Sequence, residues 1–215
     1  MKKLLSLVVI AAASLLNSMS SAETFLNESE TAVPIAANTE PREVTQNDAN
    51  VYTVEEGDSV TNIAVKYGVP VEELVSENDL EGETLEQGDK LIIPESVTAE
   101  EKELLAKLVH AEARGESYEG KVAVATVVLN RVDSSQFPDT ITEVIYAKNQ
   151  FSPVSDGSIN LEPSEEAIEA VNEAIALQEE GTDATFFYNP DATNDQWIRT
   201  LPVTEIIGNH YFATS

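Results

Sequence analysis

Hydrophobic positions change their spacing several times along the chain, and each change predicts an element. Val51-Tyr52-Thr53-Val54 reads as a short strand, and Gly57-Asp58 turns the chain. Ser59 can cap a helix running to about Tyr67, with Val60, Ile63 and Ala64 on one face. Pro70 opens a second helix that carries Val71, Leu74 and Val75. Gly88-Asp89 then turns into Lys90-Leu91-Ile92-Ile93, a strand stopped by Pro94. Residues 50–95 are therefore predicted as a strand, two helices and a strand. Residues 23–49, rich in Thr, Asn, Glu and Ala, hold no sustained period and read as a flexible tether.

Residues 102–215 form a second, larger unit after a short link. Thr98-Ala99-Glu100-Glu101 is a capping box, and the helix it opens carries Leu104, Leu105, Leu108 and Val109. Gly115 is its expected stop. A helix over Lys121 to Arg131 is apolar almost all round from Val122 to Leu129, which predicts the buried centre of the unit. Thr140-Ile141-Thr142-Glu143 starts a short helix to about Ala147. Ser164 caps another, with Ala167, Ile168, Val171, Ala174 and Ile175 on one face and Gly181 as its stop. Phe186-Phe187-Tyr188 reads as a short strand, and Val203 to Phe212 closes the unit. The expected class is α+β: a small βααβ module followed by a mainly helical domain.

The N-terminus adds a targeting signal. Lys2 and Lys3 precede an apolar run from Leu4 to Leu16, too short to span a bilayer, and Ser20 and Ala22 are small residues suited to cleavage before Glu23. Residues 1–22 are thus expected to be a cleaved secretory signal, with an uncleaved anchor as the alternative. No membrane insertion is expected after cleavage.

Charge then narrows the function. The chain has 39 acidic and 12 basic residues, a formal net charge of −27. Loss of a signal holding two lysines and no acid makes −27 into −29. Nucleic-acid binding is not expected, because a polyanion needs a basic patch. There is no cysteine, hence no disulfide, thiolate metal site or cysteine nucleophile. With two histidines, His110 and His210, and no close metal-ligand spacing, neither metal nor cofactor is expected. Beyond the signal the arginines are Arg42, in the tether, and Arg114, Arg131 and Arg199, expected to be paired internally or placed for a ligand.

One carboxylate has a distinctive context. Glu112 follows Leu105, Leu108 and Val109 by seven, four and three residues, so it continues their apolar helix face. It also lies near the helix C-terminus, where the dipole is negative. Desolvation and dipole both disfavour the anion and raise the pKa. A carboxylic acid kept protonated near neutral pH can donate to a glycosidic oxygen. The alternative is a buried ion pair with Arg114 or Arg131. Glu116, past the glycine, reads as a surface or rim residue.

Two strings carry resemblances. Y-T-V-E-E-G-D-S-V-T-N-I-A-V-K-Y, with E-E-L-V-S-E-N-D-L and L-E-Q-G-D-K-L-I-I-P, resembles a LysM module. That resemblance implies binding of N-acetylglucosamine-containing glycans, chiefly peptidoglycan and chitin, through Gly57, Asp58, Ser59 and Val60 and through Asn78, Asp79 and Leu80. Gly57, Asp58 and Ser59 serve equally as turn and cap residues. The second string, V-H-A-E-A-R-G-E-S-Y-E-G-K-V-A-V-A-T-V-V-L-N-R-V, with N-Q-F-S-P-V-S-D-G, F-F-Y-N-P-D-A-T-N-D-Q-W-I-R-T and I-G-N-H-Y-F-A, is similar to the spore-cortex-lytic, germination-type cell wall hydrolases.

The second resemblance implies a lysozyme-like domain that cuts the glycan strand as a lytic transglycosylase, with Glu112 as its single acid and base. Gln150, Phe151, Tyr188, Asn189 and Trp197 supply aromatic faces and amides for sugar, though Phe151 and Trp197 suit a core equally well. The expected protein is a secreted, monomeric enzyme of the bacterial cell wall, spore-associated if its substrate is cortex. The alternatives are a metal-dependent N-acetylmuramoyl-L-alanine amidase or a non-catalytic LysM protein. So acidic a chain is repelled by anionic wall polymers, which gives a module that binds neutral sugar a physical purpose.

Overall fold

The computed structural model describes residues 50–82 and 84–215. The predicted signal and tether lie outside the described residues. Among the described residues no helix is long and apolar enough to cross a membrane.

The first module pairs β1 (Val51–Thr53) antiparallel with β2 (Lys90–Ile92), Tyr52 opposite Leu91. Between them come α1 (Val60–Tyr67) and α2 (Val71–Glu77). Ser59 caps α1 by accepting from the Asn62 amide at 3.1 Å. Gly68 ends α1 in the left-handed conformation, φ 59°. Val54, Val60, Ile63, Ala64, Val69, Leu74 and Leu91 form its core.

The second unit is built around α4 (Tyr118–Asp133), whose Val124, Ala125, Val127 and Val128 are fully buried. α3 (Ala99–Glu112), α5 (Ile141–Tyr146) and α7 (Glu165–Ala176) pack against it. Thr98, Thr140 and Ser164 cap α3, α5 and α7 as the sequence predicts. A three-stranded antiparallel sheet of β3 (Phe186–Tyr188), β5 (His210–Ala213) and β4 (Val203–Ile207), in that order, closes the unit.

Three boundaries and one element differ from expectation. Ser117, not a residue near Lys121, caps α4, so the helix gains a turn at its start. α3 stops at Glu112 with Ala113 as its C-cap, before Gly115. α7 stops at Ala176 and continues as a 3-10 turn over Gln178–Glu180 before Gly181. A helix that the hydrophobic spacing does not announce, α6 (Ser152–Asp156), follows Phe151. It is one turn long, and the buried Pro153 and nearby Ile159 hold it against the core.

The two units share core. Ala176 and Leu177 at the end of α7 pack into the module's hydrophobic cluster. The Lys102 ammonium of α3 donates to the Tyr67 carbonyl at the end of α1, 2.8 Å away. Gly68 lies against Asn172 so closely that a Cβ there would collide with the Asn172 side chain.

Candidate functional site

Glu112 ends α3 half-buried, on the face the spacing predicts. Opposite it is the first turn of α6. Burial pushes its carboxyl above the ordinary value. The Ser152 amide and hydroxyl, which face the carboxylate, pull the other way without cancelling that rise, and Asp156 adds a like charge that pushes it further up. Asp156 itself is held below the usual range by the Ser158 hydroxyl and amide, the amide donating at 2.8 Å. It therefore remains an anion beside a carboxyl that favours its proton.

The ion-pair alternative does not occur. Among the described residues the ion pairs are Lys107–Glu103 and Lys121–Glu166. Arg114 instead places Nη2 3.0 Å from Nε2 of His110, one turn back on α3. Arg131, almost fully buried, donates from Nε to the Thr185 carbonyl at 2.7 Å and from Nη1 to Oε1 of Gln150 at 3.2 Å. Its guanidinium sits among the rings of Phe137, Phe151 and Phe186, 5.0 to 5.4 Å from their centres. Burial without a counter-charge pushes its pKa down to about 10. Glu112 is left without a cation.

The other predicted groove residues separate into exposed and buried. Gln150 is exposed and oriented by Arg131. Phe151 is 5% exposed and stacks on Phe187, so its ring is core and offers no face to a sugar. Tyr188 is buried as well, its ring against Tyr211. Asn189 builds a turn: its Oδ1 accepts from the Asp191 amide at 2.9 Å. Trp197 is 56% exposed, with only an edge contact on Phe186, so it belongs to the surface and not to the core. Arg199 braces its loop through the carbonyls of Pro190 and Thr193.

Glu116 is more than a rim residue. Its carboxylate accepts from the Asn209 amide at 3.0 Å and from Asn209 Nδ2 at 3.1 Å, tying the β4–β5 turn to the start of α4. Burial alone would raise its pKa, but those two bonds, with His210 and Lys121 nearby, leave it lowered.

This arrangement can be set beside known proteins. The cell wall hydrolase family pattern matches residues 115–213, starting three residues beyond Glu112. The spore cortex-lytic enzyme of Oceanobacillus iheyensis is 44% identical over 120 residues, covering 56% of this chain and 44% of that one. The chain spans less than half the length of the curated relatives it matches. The solved catalytic domain of the germination-specific lytic transglycosylase SleB from Bacillus anthracis is 40% identical, with a TM-score of 0.52. It is covered completely, by 57% of this chain. The corresponding domain of Bacillus cereus SleB is 40% identical, with a TM-score of 0.51, covering 57% of this chain and 95% of that domain. The chain belongs to the cell wall hydrolase family. A LysM domain, matched over residues 52–94, precedes the hydrolase domain.

Within the LysM domain the predicted contact residues divide the same way. Gly57, at φ 91°, and Asp79, at φ 50°, are exposed turn residues at the two loops. Asp58 accepts from the Glu55 amide at 2.8 Å and the Tyr52 hydroxyl at 2.7 Å. The Tyr52 phenol, bonded to that anion, is pushed up to about 12. Ser59 is occupied as the α1 cap. Val60 is fully buried, so its side chain is core and not a ligand contact. Asn78 is consumed internally: Oδ1 accepts from the Ile92 amide, and Nδ2 donates to the Leu74 and Ile92 carbonyls. It locks α2 onto β2 and has little left for a sugar. Leu80 packs half-buried on the domain core.

Sequence reasoning passed over Ser152 and gave Asp156 no special place in the hydrolase domain. Both stand on α6, whose only local signals are Pro153 and Gly157.

Proposed function

We propose that this protein is an exported peptidoglycan-cleaving enzyme, a lytic transglycosylase with Glu112 as its single acid and base. The observation that carries the reading is a half-buried, cation-free carboxyl with a raised pKa, standing just before the family-matched span. Similarity to a germination-specific lytic transglycosylase and to spore cortex-lytic enzymes supports the same chemistry. Glu112 gives its proton to the oxygen joining N-acetylmuramic acid C1 to N-acetylglucosamine C4, and that bond breaks. The muramic C6 hydroxyl then forms the new bond to C1 and returns its proton to Glu112. A 1,6-anhydro end results, no water is consumed, and the enzyme regains its starting state. Mass spectrometry of released muropeptides tests this: anhydro ends support it, reducing ends indicate hydrolysis, and free stem peptides indicate an amidase.

Asp156 has a tuning role in this reading. Its negative charge favours the protonated form of Glu112. Removing that charge lowers the Glu112 pKa, and activity requires the protonated acid. Asp156→Asn should therefore move the alkaline limb of the pH–rate profile to lower pH. An unmoved limb, measured by wall-turbidity loss across pH, would remove Asp156 from the mechanism.

Trp197 is the exposed aromatic face for a sugar ring. Trp197→Ala should raise the half-saturating wall concentration by about three- to tenfold, with the maximal rate little changed. The LysM domain holds the acidic enzyme on the polymer, and residues 1–22 direct export.

A further inference from the structure

A cavity of about 340 Å³ lies apart from Glu112, where the LysM domain meets the hydrolase domain. Its walls are of two kinds. Ala106, Ile168 and Val171 make an apolar side, while Lys66 of α1 and Lys102 of α3 bring ammonium groups. Ile168 is telling: it belongs by spacing to the apolar stripe of α7, yet it is 44% exposed. The docked LysM domain shares core with Ala176 and Leu177, two turns further along, and leaves Ile168 uncovered at this cavity.

The charge is also unusual for this chain, in which acids outnumber bases 39 to 12. The lining acid Glu103 is already engaged by Lys107, at 2.6 Å. Lys102 spends one of its three donors on the Tyr67 carbonyl and keeps two, with Glu95 the acid whose charge reaches it. Lys66 stands over the faces of Tyr52 and Tyr67, 4.5 and 5.5 Å from their centres, close enough to Asp58 to feel its charge but with no hydrogen bond or ion pair among the described residues. Asn172 adds an amide. A neutral, hydroxyl-rich glycan suits neither the apolar wall nor the ammonium groups. A short peptide with small apolar side chains and free carboxylates suits both.

We propose that this junction cavity binds the carboxylate-bearing stem peptide of peptidoglycan, a ligand distinct from the glycan strand. The proposal rests on the wall-polymer reading above. Alanyl methyl groups lie against Ile168, Val171 and Ala106, and carboxylate oxygens accept from Lys66 and Lys102. Glycan and peptide would then be held by different parts of one body.

Calorimetric titration of the full chain with the tetrapeptide L-alanyl-γ-D-glutamyl-L-lysyl-D-alanine tests it. The tetrapeptide should bind, and more weakly as salt rises. Amidating its carboxyl groups should weaken binding about fivefold or more. Ile168→Glu, at an exposed helix position that tolerates charge, should weaken it about tenfold. Lys66→Gln should also weaken it. Absence of binding overturns the proposal, as does equal binding of the amidated peptide or an unchanged Ile168→Glu titration. Wall cleavage is measured separately on the wild-type protein. An intact wall overturns the enzymatic reading, whereas the peptide titration judges the cavity by itself.

Discussion

Glu112→Gln should abolish glycan cleavage and at the same time stabilise the protein at neutral and alkaline pH. Loss of a positioned general acid costs about 10²–10⁴-fold in rate. With one group proposed as both acid and base, the loss should fall at the upper end of that range or beyond it. The stability effect has the opposite sign. The folded-state pKa of Glu112 is raised by burial, so the folded protein holds this proton more tightly than the unfolded chain does. Wild-type stability therefore falls as pH rises from the ordinary carboxylate value through the raised one. Glutamine carries no such penalty. The mutant should melt higher than wild type at pH 8, and the difference should vanish below about pH 4, where the carboxyl is protonated in both states. Muropeptide release and thermal melts at the two pH values check both halves. An active Glu112→Gln enzyme, or one that melts lower at pH 8 than at pH 4 relative to wild type, would displace Glu112 from its role.

The half-burial of that carboxyl is legible in the sequence because its signal is local. Positions seven, four and three residues before it define a helix face without reference to anything else in the chain. The caps at Ser59, Thr98, Thr140 and Ser164 were legible for the same reason: each side chain accepts from an amide three residues on. What could not be read depends on distant partners. Asn78 could pass for a sugar ligand until Ile92, fourteen residues later, takes both ends of its amide. Phe151 could be groove or core until Phe187 stacks on it. α6 is too short to carry a helical period, and it reaches Glu112 only through tertiary packing. Ile168 misled for the converse reason, since its stripe is apolar and nothing local says that the LysM domain covers only the far end of it.

The shared core changes how the charge of the chain is to be understood. An acidic enzyme near an anionic polymer gains from any neutral-sugar contact that holds it there. A flexible link would permit that contact without relating it to the point of cleavage. Here Ala176 and Leu177 belong to the LysM core, and Lys102 caps α1 from α3. A glycan bound at the loops of Gly57 and Asp79, as proposed, would thus have a defined relation to α3, the helix that ends at Glu112.

Arg131→Ala should be the most destabilising single change outside the apolar core, at about 3 kcal/mol. Three losses coincide. A large side chain leaves a cavity among Phe137, Phe151 and Phe186. The Thr185 carbonyl, at the entry to β3, loses its partner, and so does Oε1 of Gln150. Arg131→Lys should rescue little, because an ammonium cannot lie flat against three rings while donating along two directions. Arg131→Met should recover part of the loss by refilling the space and removing an unpaired buried charge, although the Thr185 carbonyl stays without its partner while the exposed Gln150 amide turns to water. Urea denaturation then orders the proteins as wild type, Met, and Lys close to Ala. A Lys variant as stable as wild type would mean that charge alone, and not the planar fork, is what the site requires. The same substitutions release Gln150, so wall affinity should fall in step with stability only if that exposed amide touches the glycan.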